Sequence, residues 1–144
     1  MASVSVEAMG RTMGGFNRLL GVELLEVSDT EVQAQLAVRD ELKQPMGLVH
    51  GGVYASLAET MTSLATARAV AGEGMTAVGL SNSTSFLRPI TEGLVRAHAT
   101  RLHRGRTTWV WDVRFSDEQD RTCALTRMTI AVRPARPAAG APGG

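Results

Sequence analysis

Cys123 is the only cysteine in 144 residues, so no disulfide can form within the chain. A lone thiol suits a reducing compartment, and a cytoplasmic location is the expectation. No apolar run reaches about 18 residues, so no transmembrane helix is expected. The opening MASVSVEAMGRTMGG has neither a basic n-region nor a continuous apolar h-region, which argues against a signal peptide. Walker A and GxGxxG patterns are missing, which removes the common glycine-loop phosphate cradles. No GxSxG elbow is present to carry a nucleophilic serine. The histidines at 50, 98 and 103 form no HExxH, and strand parity sets His98 and His103 on opposite faces, so neither a metal nor a cofactor is expected. Cys123 falls inside a strand pattern, where a buried structural thiol is commoner than a nucleophile.

The composition that remains is that of a single globular domain, 44% apolar and 20% charged. Net charge is +1, unevenly spread: residues 1–87 hold five basic and nine acidic side chains, residues 88–144 ten and five. All ten basic residues of the second part are arginines. A local arginine excess suits a small phosphate-bearing ligand better than nucleic acid, although solvated arginines on strand edges would look the same.

Residues 1–8 read as a flexible tail, 9–136 as one domain, and the Pro/Gly/Ala-rich 137–144 as a disordered end. Met9 to Leu20 fits a short helix weakened by Gly14-Gly15. Val22–Val27 and Val32–Val38 read as a hairpin turned at Ser28-Asp29-Thr30. Asp40 to His50 reads as loop. Val53 to Val70 has helical spacing, with Leu57, Met61 and Leu64 on one side and Glu59, Ser63 and Thr66 on the other. Gly72 and Gly74 mark its end. Four strands follow: Thr76–Leu87, stopped by Pro89, then Leu94–His103, Thr108–Phe115 and Cys123–Val132. On the third of these, Trp109, Trp111, Val113 and Phe115 share a face. Antiparallel strands around one long helix define an α+β domain.

Chemistry concentrates in Gln44–Thr66, QPMGLVHGGVYASLAETMTSLAT. His50-Gly51-Gly52 precedes the helix, so its N–H groups are unpaired donors at the positive end of the helix dipole. Such donors suit a developing oxyanion, and glycine admits a substrate carbonyl close to the backbone. Glu59 lies about two turns further on, with the small Ala55, Ser56, Ser63 and Thr66 nearby, and Ser63 can hydrogen-bond its carboxylate. On the residues alone, Glu59 could equally be a solvated helix carboxylate, Gly51-Gly52 a tight turn and Gln44 a loop residue.

Four separated blocks, GLVHGGVYASLAE, MTAVGLSNSTSFLRP, EGLVRAHATRLHRGRTTWVWDV and CALTRMTIAVRP, resemble the hotdog-fold acyl-CoA thioesterases. The likeness runs from Gln44 to Arg136. It points to the branch with a catalytic glutamate on the central helix, and within it to the 4-hydroxybenzoyl-CoA and 1,4-dihydroxy-2-naphthoyl-CoA thioesterases. The resemblance implies a hotdog fold, a curved antiparallel sheet wrapped around the long helix. It also implies a homodimer that forms the active site between subunits, and often a homotetramer.

By the same resemblance, Glu59 matches the catalytic glutamate, acting as nucleophile or general base, and the Gly51 amide matches the oxyanion donor. His50 matches a histidine supporting that turn, Gln44 a glutamine near the thioester, and Ser63 the residue that positions the carboxylate. Arg88 and Arg136 match residues that hold the coenzyme A phosphates, and Gly105, Arg106 and Thr107 lie in the loop that helps them. Arg106 departs from the pattern, standing where a small polar residue is usual. The activity implied is hydrolysis of an aryl-CoA ester of the 4-hydroxybenzoyl kind, with phenylacetyl-CoA-type and medium-chain aliphatic esters open. A hotdog hydratase or dehydratase, or a non-catalytic acyl-CoA-binding protein, is the alternative. Neither the Asp…His pairing of the hydratases nor the His-Phe-Pro-Gly pattern of the dehydratases is present.

Overall fold

The computed structural model describes residues 14–137. The expected tail at 1–8, the first part of the helix expected from Met9, and the 137–144 tail except residue 137 lie outside that range. In chain order the elements are α1 (Gly15–Leu20), β1 (Glu23–Val27), β2 (Glu31–Ala37), α2 (Gly51–Val70), β3 (Met75–Phe86), β4 (Leu94–Arg104), β5 (Thr108–Ser116) and β6 (Thr122–Pro134). One six-stranded antiparallel sheet runs β1-β2-β4-β5-β6-β3, and α2 packs against its inner face. This is the α+β hotdog architecture expected.

Alternation builds the core. Trp109, Trp111, Val113 and Phe115 all point inward and are buried, as the period of two in β5 predicts. Val95, Ala97 and Ala99 line the same side of β4. The Trp109 indole is flanked by the Arg101 and Arg104 guanidiniums, each 4.9 Å from its ring centre.

The long helix departs from the sequence expectation in two ways. It begins at Gly51, not Val53, because the His50 side chain caps it: Nδ1 accepts the Gly52 N–H at 2.8 Å. Its buried stripe is Val53, Tyr54, Leu57, Ala58, Met61, Thr62, Ala65 and Thr66. Thr66, expected beside Glu59, is therefore core, whereas Leu64 is only half-buried. The reason is chemical: Thr62 Oγ1 donates to the Ala58 carbonyl (2.8 Å) and Thr66 Oγ1 to the Thr62 carbonyl (2.7 Å). Hydroxyls satisfied by their own helix leave the methyl groups to pack as apolar surface. Thr66 Oγ1 also accepts the buried Trp111 Nε1–H at 3.1 Å.

A β-bulge between Arg101 and His103 corrects the parity argument for the histidines. With Leu102 as the extra residue, His103 pairs with Val110 while His98 pairs with Arg114, so both lie on the outer face. Even so, no group of three or more His, Cys, Asp or Glu side chains is placed to hold a metal among the described residues.

At the far edge, β3 presents twelve residues without a charge, MTAVGLSNSTSF, and bonds only to β6 on its other side. Val78 and Leu80 on it are more than half exposed. A long, uncharged, partly apolar edge is a template for another strand. No helix among the described residues is long and apolar enough to cross a membrane.

Candidate active site

The turn before α2 is held from within. Lys43 and Val49 form an isolated antiparallel bridge, and the Gln44 N–H donates to the Leu48 carbonyl at 2.8 Å. The Gln44 side-chain oxygen accepts the Met46 N–H, folding this side chain onto its own loop. The His50 N–H donates to the Leu42 carbonyl at 2.8 Å. The His50 ring caps Gly52, and the Gly51 N–H is left without an acceptor among the described residues. That amide sits at the first turn of a twenty-residue helix, where donors and dipole combine.

Glycine at 51 lets the Phe86 ring lie directly over the helix start. A Cβ there would come within 2.6 Å of Phe86 Cζ, so a larger residue would displace the ring from its place over the turn. Phe86 in turn leans on Tyr54, ring centres 6.1 Å apart. Gln44, His50, Gly51, Tyr54, Phe86 and Arg88 line one open cavity of about 640 Å³. Burial, and then the nearby Cys123, push the Tyr54 hydroxyl up to about 12, so it stays neutral at ordinary pH. Burial and then Asp117 push the Cys123 thiol up as well, which suits a structural thiol.

Glu59 opens into a different cavity, of about 430 Å³, shared with Phe16, Asn17, Ser56, Ser63 and Leu64. Its carboxylate passes over Gly79 of β3, where an added Cβ would lie 3.6 Å from Glu59 Oε1. Ser63 reaches the same cavity, yet its hydroxyl is buried without a hydrogen-bond partner. The expected Ser63–Glu59 bond is thus not made. Gly51 and Glu59 are eight residues apart on one helix, so their backbones are separated by about 12 Å along its axis. Within one chain, the amide and the carboxylate do not meet.

The arginine excess resolves into two groups. Arg104, Arg114, Arg121 and Arg127 pair with Glu73, Asp120, Asp117 and Asp112, while Arg101 donates to the Asp29 carbonyl and Arg133 to the Thr107 and Val132 carbonyls. Arg88, Arg96, Arg106 and Arg136 have no ion-pair partner among the described residues. Of the coenzyme A candidates, Gly105, Arg106 and Thr107 form the β4–β5 turn. The Thr107 carbonyl accepts the Val132 N–H at 2.9 Å, which brings the turn near the Arg136 end of β6. Gly105 is required there, since a Cβ would sit 2.7 Å from the Thr108 carbonyl oxygen. Arg88 lies past the other end of β3, its N–H donating to the Cys123 carbonyl of β6 at 3.0 Å, on the order of 30 Å from Pro134. One chain therefore does not bring Arg88 and Arg136 to the same phosphates.

Phe16, Asn17 and Thr60 around Glu59, and Tyr54 beside Gly51, were not singled out by the sequence. Tyr54 could have been found by extending the HGG motif into the helix; nothing local marks Phe16 or Asn17.

Comparison with known proteins identifies the family. The profile of the thioesterase superfamily matches residues 46–124. A putative esterase of Mycobacterium tuberculosis is 39% identical over 85% of this chain and 89% of its own length. A 1,4-dihydroxy-2-naphthoyl-CoA hydrolase of Listeria monocytogenes is 33% identical over 85% of this chain and 98% of its own. The crystal structure of a mutant thioesterase from Pseudomonas aeruginosa superposes with a TM-score of 0.87 at 32% identity, covering 92% of this chain and 96% of that one. With its sheet, its helix and these relatives, the chain belongs to the thioesterase superfamily. Within that family it is a thioester hydrolase of the hotdog fold, and hydrolysis of acyl-CoA thioesters is its general activity.

Proposed function

We propose that the protein hydrolyses an aryl-CoA thioester, of the 4-hydroxybenzoyl or dihydroxynaphthoyl kind, to the free acid and coenzyme A. The site is shared between two chains: the Gly51 N–H of one polarises the thioester carbonyl, and Glu59 of the other attacks it or activates water. The observation that carries this reading is the separation of the unpaired Gly51 amide from Glu59 into two cavities, about 12 Å apart on one helix. A carbonyl carbon and its oxygen are about 1.2 Å apart, and the two groups open into different cavities, so a site that uses both is read as one assembled from two chains. The uncharged edge of β3 is the surface on which a second copy would continue the sheet. Glu59 borders β3 through Gly79, which places the carboxylate near that edge.

In the forward reaction the Gly51 donor stabilises the oxyanion, a contribution of about 3–4 kcal/mol for one such hydrogen bond. The Glu59 carboxylate either adds to the carbonyl, giving a mixed anhydride and releasing the CoA thiolate, or takes a proton from an attacking water. Gln44, His50 and Ser63 hold the surroundings: His50 caps the helix, and the free Ser63 hydroxyl is available to the carboxylate once substrate fills the cavity. Arg88 of one chain and Gly105–Thr107 with Arg136 of another would take the coenzyme A phosphates, which the long span between them requires. The assembly is a homodimer, with a homotetramer as the form the resemblance favours.

Subunit mixing tests the shared site. Glu59→Gln chains and Gly51→Pro chains, the latter lacking the donor N–H at a first helical position preceded by an extended residue, should each be inactive alone and regain about a quarter of wild-type turnover when re-paired at random, because half the dimers are mixed and each holds one intact site. No recovery from soluble mixed dimers would place both groups in one chain and refute the reading.

A further inference from the structure

Helix α1 has six residues, too few to be held by its own hydrogen bonds, so its position depends on tertiary ties. Thr60 Oγ1 donates to Asn17 Oδ1 at 2.6 Å. The Arg39 guanidinium donates to the Leu20 carbonyl at 2.9 Å and also to that of Leu19, satisfying acceptors at the helix end. Leu20 is buried, and Gly21 closes the helix in the left-handed region at φ 77°.

These ties fix Phe16 at the mouth of the Glu59 cavity although its side chain is 59% exposed. The latch residue Thr60 directly follows Glu59, so α1 is attached to the turn that carries the carboxylate. Leu64, Ala67 and Ala77 complete the apolar part of the lining. Beside Glu59 the cavity therefore has one large aromatic surface on an anchored element, and otherwise small or flexible side chains.

We propose that Phe16, held by the Asn17–Thr60 hydrogen bond, is the acyl-selecting wall of the site and favours planar aryl groups over flexible aliphatic ones. The inference rests on the thioesterase reading of the Glu59 cavity. An acyl group whose carbonyl lies at Glu59 has its substituent in this cavity, against Phe16. Two rings gain an orientation-dependent contact beyond the area they bury. A flexible chain gains no such contact and loses rotamer freedom on entering. Phe16 touches the part of the substrate that does not react, so its effect falls on KM more than on kcat.

The test uses the full chain and its Phe16→Ala, Phe16→Leu, Asn17→Ala and Glu59→Gln variants. Thiol release is followed from benzoyl-CoA and hexanoyl-CoA, with the association state checked by size exclusion. Phe16→Ala should raise KM for benzoyl-CoA about tenfold, with KM for hexanoyl-CoA and both kcat values within about threefold of wild type. Phe16→Leu should fall between, and Asn17→Ala should shift the aryl-to-aliphatic ratio in the same direction by less. An unchanged ratio, equal losses on both esters, or a changed association state in Phe16→Ala overturns the proposal. If wild type releases thiol and Glu59→Gln does not, such a result removes only the role of Phe16. If wild type releases no thiol from either ester, the thioesterase reading and the wall fall together.

Discussion

The two cavities along α2 are unlike, and each has what the other wants. The one at the helix start offers a backbone donor, a neutral tyrosine, an aromatic cover and Arg88, but no carboxylate among its lining residues. The one two turns on offers Glu59 and Ser63 with an apolar wall, but no unpaired amide of the α2 start. An N-terminal helix end is electropositive and a mid-helix position is not, so an oxyanion donor and an anionic base are best kept on different turns. Placed together, Glu59 would occupy the donor meant for substrate. On the proposed two-chain site, the separation would keep both groups available until an ester bridges them.

The sharpest way to break that comparison is to remove the carboxylate. Glu59→Gln should lower kcat on aryl-CoA esters by about 10³-fold while the fold is kept. Steady-state thiol release near the wild-type rate would leave the second cavity without a chemical role.

Next comes a residue that sequence placed in the Glu59 cavity and structure placed in the core. Thr66→Val should cost about 1–3 kcal/mol of unfolding free energy, by orphaning the Trp111 indole N–H, with KM unchanged. Denaturant midpoints and kinetics on one preparation check both halves. A shift in KM without a loss of stability would return Thr66 to the site.

Arg88→Ala and Arg136→Ala should each raise KM for full CoA esters about tenfold, and for pantetheine-length analogues hardly at all. Equal effects on both substrates would detach the arginines from the phosphates. The smallest effect belongs to Asp117, which is outside both cavities. Burial raises its carboxyl, but the Arg121 backbone and side chain, with the Gln119 N–H, more than offset this and hold it below its usual value. A carboxyl lowered in the folded state contributes stability above its unfolded value and loses it as pH falls through the folded one. Asp117→Asn should therefore lower Tm at neutral pH, and the gap from wild type should close in acid. A gap that persists in acid would assign the loss to hydrogen bonding instead of charge.

Much of this was legible in the chain. Period-two alternation placed β5 and its buried aromatics, and the glycines bracketed α2. The helix face was misjudged because Thr62 and Thr66 look polar on a helical wheel but spend their hydroxyls on their own backbone. The histidines of β4 were misplaced because nothing in RLHRGRT announces that Leu102 is a bulge. Glu59 and Gly51 were singled out as candidates from the motif, and the helical rise alone implies their separation. The contact of α1 with Thr60 was hidden, since Asn17 and Thr60 are 43 residues apart and no local pattern joins them.

The bare edge of β3 has a consequence in time. If activity requires two such edges to meet, a newly made chain is silent until it finds a second, and turnover per chain falls on dilution below the dissociation constant of the pair. A hydrolase of activated esters would then come with a built-in delay, switched on by its own accumulation and needing no inhibitor to keep single chains idle.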